Sequence, residues 1–232
     1  DKGVRCTVSP NVRLALSASR DGTLRVWDLG TSETRHVLDG HRGPVTGCSM
    51  APARSADEDP HLGVSSSADG TLRAWDLASG ALATRFVGHD GPVVSCAVTA
   101  DGRSVVSGGQ DACIRRWDLA SGAMLDVMRG HGGPVVACAP SRDGRHLVSA
   151  SLDSTLRIWD LSSGEATAVL DQHQGPVVAC AFSPDDEYIA SVSSDSTVRI
   201  WSRSTGESLC GLRTAGWLGD VTWVAADRVL AV

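Results

Sequence analysis

His131, Ser149 and Asp153 are the three residue types of a nucleophilic relay, in which an imidazole takes a hydroxyl proton and a carboxylate orients the ring. Such a set would suit hydrolysis by acyl transfer. The same three types return as His41, Ser65 and Asp69, as His89, Ser107 and Asp111, and as His173, Ser191 and Asp195. A catalyst needs one centre, whereas a fold needs the same joint in every repeat. Each set is closed by a tryptophan: Trp75, Trp117, Trp159 and Trp201. A buried indole N–H that finds no acceptor costs about 1–3 kcal/mol. Serine can accept that N–H and pass its own proton to histidine, and histidine can donate to aspartate. The sets therefore read as structural hydrogen-bond chains. A fifth copy keeps Ser17, Asp21 and Trp27, and its histidine would precede residue 1.

The elements that must position these side chains are written in the same repeats. SASLDSTLRIWD from Ser149 has close copies in SASRDGTLRVWD from Ser17, SSSADGTLRAWD from Ser65, SGGQDACIRRWD from Ser107 and SVSSDSTVRIWS from Ser191. Trp27, Trp75, Trp117, Trp159 and Trp201 follow one another at 48, 42, 42 and 42 residues. A period near 42, built of short apolar runs with Gly, Asp and Ser at the joints, predicts four strands per repeat. In the repeat that begins at His131, strands are expected at 134–139, His146–Ser151 and Thr155–Trp159, with a more variable outer strand at Glu165–Leu170. The inner runs are apolar at nearly every residue, as in sheets covered on both faces.

A Gly-His pair, a strand, SxSxD and then WD, at about 42 residues per repeat, resembles the WD40-repeat family of β-propellers. The resemblance implies an all-β propeller of four-stranded antiparallel blades, each using three strands of one repeat and the outer strand that follows. Blade one would cover about 3–39, blade two 41–88, blade three 89–130, blade four 131–171 and blade five 173–213, with a sixth starting at 217–232. Five near-complete blades and the start of another are expected to belong to a seven-bladed or double propeller within a longer protein. In that family the Trp–Ser–His–Asp chain is a structural tetrad.

Composition narrows the function. The 232 residues are 42% hydrophobic and 21% charged, with a net charge of −6 and one lysine among 21 basic residues, which argues against a uniformly basic nucleic-acid surface. No run is long and apolar enough for a membrane helix, and no signal peptide is evident. Cys6, Cys48, Cys96, Cys138 and Cys180 recur at one place in successive repeats, too far apart for disulfides, and read as small buried hydrophobes in a reducing compartment. Zinc spacing, a phosphate-binding GxxxxGK[ST] loop, GxGxxG after a strand and HExxH do not occur, so no metal or cofactor is expected.

Three departures from the repeat stand out. Repeat two is longer, with an acidic, proline-bounded insert at Pro52–His61 that reads either as a mobile tolerated loop or as a docking loop through Asp57, Glu58 and Asp59. Arg25, Arg73, Arg115, Arg157 and Arg199 each precede the tryptophan by two residues and share its face of the strand. They suggest either a ring of anion ligands or stems packed over apolar surface, and the second reading is preferred. Arg116, on the opposite face, either pairs with a carboxylate or contacts a ligand.

The resemblance also places partner contacts on the rim where the first strand starts and the second turns into the third. Those positions are Lys2, Val4 and Arg20; Pro44, Thr46 and Ala68; Pro92, Val94 and Gln110; Pro134, Val136 and Leu152; Pro176, Val178 and Ser194. Its nearly uncharged character fits a protein or peptide, or another domain of the same chain, better than a polyphosphate. The sharper candidates are Lys2, Arg20, Gln110, Leu152 and Trp217. The sequence thus reads as a non-enzymatic protein–protein interaction scaffold, a cytoplasmic propeller of a larger multidomain regulatory protein. The alternatives are an RNA-binding part of a ribonucleoprotein and an intramolecular sensor or lock of a signalling NTPase. The first would need an aromatic or basic path, yet Phe86, Phe182 and Tyr188 are the only aromatics besides tryptophan.

Overall fold

A computed structural model describes residues 5–53, 55, 58–216, 218–225 and 228–232. Lys2, Val4, Asp57 and Trp217 lie outside the described residues. Every regular element among those described is a strand. Blade one consists of β1 (Cys6–Val8), β2 (Leu14–Ala18), β3 (Leu24–Asp28) and β4 (Glu33–Leu38). Blade two holds β5 (Val45–Met50), β6 (Leu62–Ser67), β7 (Thr71–Asp76) and β8 (Leu82–Val87). Blade three holds β9 (Val93–Val98), β10 (Ser104–Gly109), β11 (Ile114–Asp118) and β12 (Met124–Met128). Blade four holds β13 (Val135–Pro140), β14 (His146–Ser151), β15 (Leu156–Asp160) and β16 (Ala166–Leu170). Blade five holds β17 (Val177–Phe182), β18 (Tyr188–Ser193), β19 (Thr197–Ser202) and β20 (Ser208–Arg213), and β21 (Val221–Ala225) pairs with β22 (Arg228–Ala231). Each four-stranded sheet is ordered as its strands follow in the chain.

The chain divides into two compact units, residues 1–109 with 115–126 and residues 110–114 with 127–232. In the first, Trp75 of blade two packs on Leu14, Leu16, Leu24, Val26 and Leu38 of blade one. Trp117 likewise joins Val64, Leu72, Ala74 and Phe86 of blade two. In the second, Trp201 of blade five meets Val148, Ala150, Leu156 and Ile158 of blade four, while Val221 and Trp223 cover Val192, Val198 and Ile200. Trp75, Trp117 and Trp201 thus each seal their own blade against the one before it. The second strands, LGVSSS, SVVSGG, HLVSAS and YIASVS, are buried at every residue after the first, because both faces of the sheet are covered.

Turns are set by aspartate. Asp69 Oδ1 accepts from Thr71 N at 3.0 Å and Thr71 Oγ1 at 2.7 Å, and Asp153 Oδ1 does the same for Thr155 at 2.9 and 2.7 Å. In blade four the third strand starts at Leu156, one residue later than expected. The first strand of blade four is likewise displaced to Val135–Pro140 and the outer strand to Ala166–Leu170.

Two expectations need correction. The recurrent cysteines are not uniformly buried: Cys6 is exposed, Cys48, Cys96 and Cys138 are half-buried, and only Cys180 among the five is buried. The thiols of Cys48 and Cys96 still turn inward, with Cys48 Sγ donating to Leu16 O at 3.4 Å and burial pushing the Cys96 thiol up to about 12. The described ends of the repeat-two insert are also tied down. Asn11 Nδ2 donates to Glu58 O and Asp59 Oδ1 at 3.1 Å each, and Arg35 Nη1 lies 3.4 Å from Asp59 Oδ2. Its other end, Pro52, packs beside Gly102 of blade three. Asp59, read as one of three docking carboxylates, is already engaged by blade one.

Candidate functional site

In blades two, four and five, strand pairing brings serine, histidine, aspartate and tryptophan together. Ser149 sits opposite Arg157 on β14 and β15, two residues before Trp159, so the indole reaches back across the sheet. Trp159 Nε1 donates to Ser149 Oγ at 2.8 Å, Ser149 Oγ lies 2.8 Å from His131 Nε2, and His131 Nδ1 lies 2.8 Å from Asp153 Oδ2. In blade two the corresponding distances through Trp75, Ser65, His41 and Asp69 are 2.9, 2.8 and 3.0 Å. In blade five, Trp201, Ser191, His173 and Asp195 give 2.8, 2.8 and 3.0 Å. In blade one Trp27 Nε1 reaches Ser17 Oγ at 2.8 Å.

The electrostatics fix the protons. Burial pulls His41, His131 and His173 below the ordinary imidazole value, against the opposing pull of the facing aspartate, so the rings are neutral at pH 7. Burial alone would raise Asp153, but hydrogen bonds from Thr155, His131 and Gly132 N outweigh it and hold the carboxyl at about 2. The same balance holds Asp69 and Asp195 well below the usual carboxylate range. An ionised aspartate selects the tautomer with the proton on Nδ1, leaving Nε2 to accept from serine. Each serine hydroxyl then accepts from tryptophan and donates to histidine. Ser65, Ser149 and Ser191 are fully buried. With its proton and one lone pair committed and no route to solvent, such a hydroxyl is poorly placed to attack a substrate.

Blade three repeats the serine joint with different neighbours around it. His89 Nε2 lies 2.8 Å from Ser107 Oγ, and Trp117 Nε1 donates to Ser107 at 2.9 Å. Arg115 Nη1 comes within 2.6 Å of His89 Nδ1. Cys113 takes the place of the turn threonine, its N donating to Asp111 Oδ1 at 3.2 Å.

The rim is more varied than its sequence pattern. Arg20, Gln110, Leu152 and Ser194 are exposed. Thr46, Val94, Val136 and Val178 are the extra residues of β-bulges, where the ladder skips from Val45 to Gly47, from Val93 to Ser95, from Val135 to Ala137 and from Val177 to Ala179. All four are half-buried. Thr46 is further committed, since its hydroxyl donates to Val93 O at 2.6 Å, and Val178 packs against the cluster around Val221. Neither is an open rim position as expected. Two exposed arginines, Arg42 and Arg85, were not among the sequence candidates. Aligning the outer strands by their distance from tryptophan would have singled out Arg85.

The family model for the WD domain, G-beta repeat, matches residues 1–28, 32–76, 80–118, 122–160 and 164–202. The chain belongs to the WD40-repeat family. A search of curated proteins returns no match. The matched WD40 repeats end at Asp28, Asp76, Asp118, Asp160 and Ser202, at the close of each third strand. Each repeat after the first therefore opens with the outer strand of the sheet before it, as the pairing of β4 with β3 illustrates. WD40 domains generally mediate protein–protein interactions and are generally non-catalytic scaffolds.

Proposed function

We propose that this chain is the non-catalytic interaction scaffold of a larger multidomain regulatory protein in the cytoplasm, binding a protein or peptide, or a neighbouring domain of its own chain. The observation that carries the reading is the repetition of one geometry. The His–Ser–Asp sets of blades two, four and five match within 0.2 Å at every distance above, and in each the serine is buried and committed. What differs from blade to blade is the exposed side chain beside each turn: Arg20 in the first compact unit, and Gln110 and Leu152 in the second. Leu152 is 42% exposed although it is large and apolar, the kind of residue that anchors a partner's apolar side chain.

The test is a quantitative pull-down with and without ribonuclease, comparing the natural side chains with Arg20→Glu and with Leu152→Asp, each made separately. Protein partners that persist after ribonuclease and are lost with either substitution support a scaffold acting through these residues. Recovery of RNA that falls with Arg20→Glu alone would replace it with an RNA-binding function.

A further inference from the structure

Blade two breaks the repeat at a place where doing so carries an electrostatic cost. On the paired third and outer strands, Arg25 faces Val37, Arg157 faces Val169 and Arg199 faces Gly211. Arg73 instead faces Arg85. Like charges directly opposite in an antiparallel pair repel, and nothing in the repeat pattern demands a second arginine here.

The surroundings of Arg73 give its guanidinium no ion pair with a described residue. Its Cζ lies 5.8 Å from the Trp75 ring centroid, and Nη1 packs so close to Gly40 that a Cβ there would lie 2.5 Å away. In blade five the equivalent Arg199 Nη1 has two acceptors, Gln172 Oε1 at 3.2 Å and Ser208 Oγ at 3.1 Å. Blade two has Gly40 and Leu82 at those positions, and neither offers a side-chain acceptor. A third arginine, Arg42, follows the tetrad histidine, with its backbone N 2.9 Å from Asp69 Oδ2. None of the three guanidinium groups forms an ion pair with a described residue. Two carboxylates are near. Asp69 spends both oxygens on His41, Arg42 N and Thr71. Asp39 is exposed and bonds no described cation. Burial lowers the Arg73 pKa, Asp69 opposes that, Arg85 and Arg42 lower it again, and Asp39 opposes, so both other arginines act on this head.

We propose that Arg42, Arg73 and Arg85 form a binding site for a phosphoryl group, with the exposed Arg42 and Arg85 as direct ligands and Arg73 as a charged, tryptophan-backed wall. A dianion would relieve the repulsion between Arg73 and Arg85, and guanidinium groups match phosphate oxygens with two parallel N–H donors. The group is either free phosphate or the phosphorylated side chain of a peptide. The site borders the rim at Pro44 and Ala68 but uses none of Arg20, Gln110 and Leu152, and it does not depend on what those three bind.

The decisive variant is Arg85→Val, which restores the residue that blades one and four carry. In chloride it should melt about 1–2 °C above the unaltered chain, because a like-charge pair has been removed. In millimolar phosphate at equal ionic strength, the unaltered chain should gain about 2–4 °C while Arg85→Val gains nothing. Arg42→Ala should leave the chloride melting point in place and weaken phosphate binding several-fold by calorimetry. Tighter binding of a phosphoserine peptide than of inorganic phosphate assigns the group to a partner; equal binding assigns it to the free ion. The same phosphate response in Arg85→Val as in the unaltered chain, or no response in either, overturns the proposal. So does a lower melting point for Arg85→Val in chloride, which would show that Arg85 stabilises the blade by itself.

Discussion

Blade two and blade four hold the same four side chains in the same chain of hydrogen bonds, yet they differ in the connections and outer strands around it. Blade four joins its first two strands with a compact turn in which Ser141 Oγ bonds Asp143 and His146 N; blade two joins them with an acidic insert held by Asn11 and Arg35. Blade four places Val169 opposite Arg157, and blade two places Arg85 opposite Arg73. The shared parts are those that close a buried hydrogen-bond chain, where any change leaves a polar atom stranded. The differing parts face solvent, where the fold tolerates change.

The largest effects test the shared half of the comparison. His131→Ala and His41→Ala should each cost about 2–3 kcal/mol, because a buried serine hydroxyl and an aspartate lose their partner together. Thermal unfolding should show a fall of roughly 5–10 °C, equal for the two within error. Unchanged stability in either blade would refute a structural tetrad, and unequal losses would show that the blades are not equivalent.

Acid should act on both blades in the same direction. The folded histidines hold their protons less tightly than unfolded ones, so stability is full above the unfolded value near 6.5 and declines as pH falls below it. Asp153, held at about 2 against 3.8, adds a second loss between about pH 4 and pH 2, on the order of 1 kcal/mol once solvent screening is allowed for. Urea unfolding at pH 7, 5 and 3 should show this steady decline, and a maximum near pH 5 would contradict it.

Smaller effects probe the turns. Asp186 of blade five has φ of 59°, a left-handed conformation that costs a residue with a side chain, and it stands where blade four has Gly144. Its carboxylate accepts from Arg142 N at 3.0 Å and Asp143 N at 2.9 Å in the turn of blade four. Asp186→Gly relieves the backbone and removes both bonds, for a net loss of about 1 kcal/mol by chemical denaturation; a gain would show that the bonds contribute nothing. Asp59→Ala should cost about 0.5 kcal/mol or less, since its partner Arg35 is solvent-exposed, but should speed proteolysis of the insert. Unaltered cleavage would mean that Asn11 and Arg35 do not hold the loop.

Much of this was legible in the sequence because repetition is itself a measurement. One His–Ser–Asp set is ambiguous between catalysis and structure, and four sets that return with the repeat are not. The strands and their order followed from the same spacing. The bulges at Thr46, Val94, Val136 and Val178 were not legible, because a bulge depends on which residue of the next strand lies opposite. Cross-strand register also hid the pairing of Arg73 with Arg85, which lie twelve positions apart in the sequence but side by side in the sheet. The hold on Asp59 was hidden for a related reason: Asn11 and Arg35 belong to another blade, brought near only by packing.

The offset between repeat and sheet gives the chain a tolerance to scission. The connection from Leu29 to Ser32 is exposed, and it separates two matched repeats. A protease cutting at Gly30 would divide the sequence but not the sheet, because β3 on one fragment stays laddered to β4 on the other through five residue pairs from Leu24–Leu38 to Asp28–Glu33. The two pieces would remain one particle, and severing the backbone between repeats would not by itself release a blade.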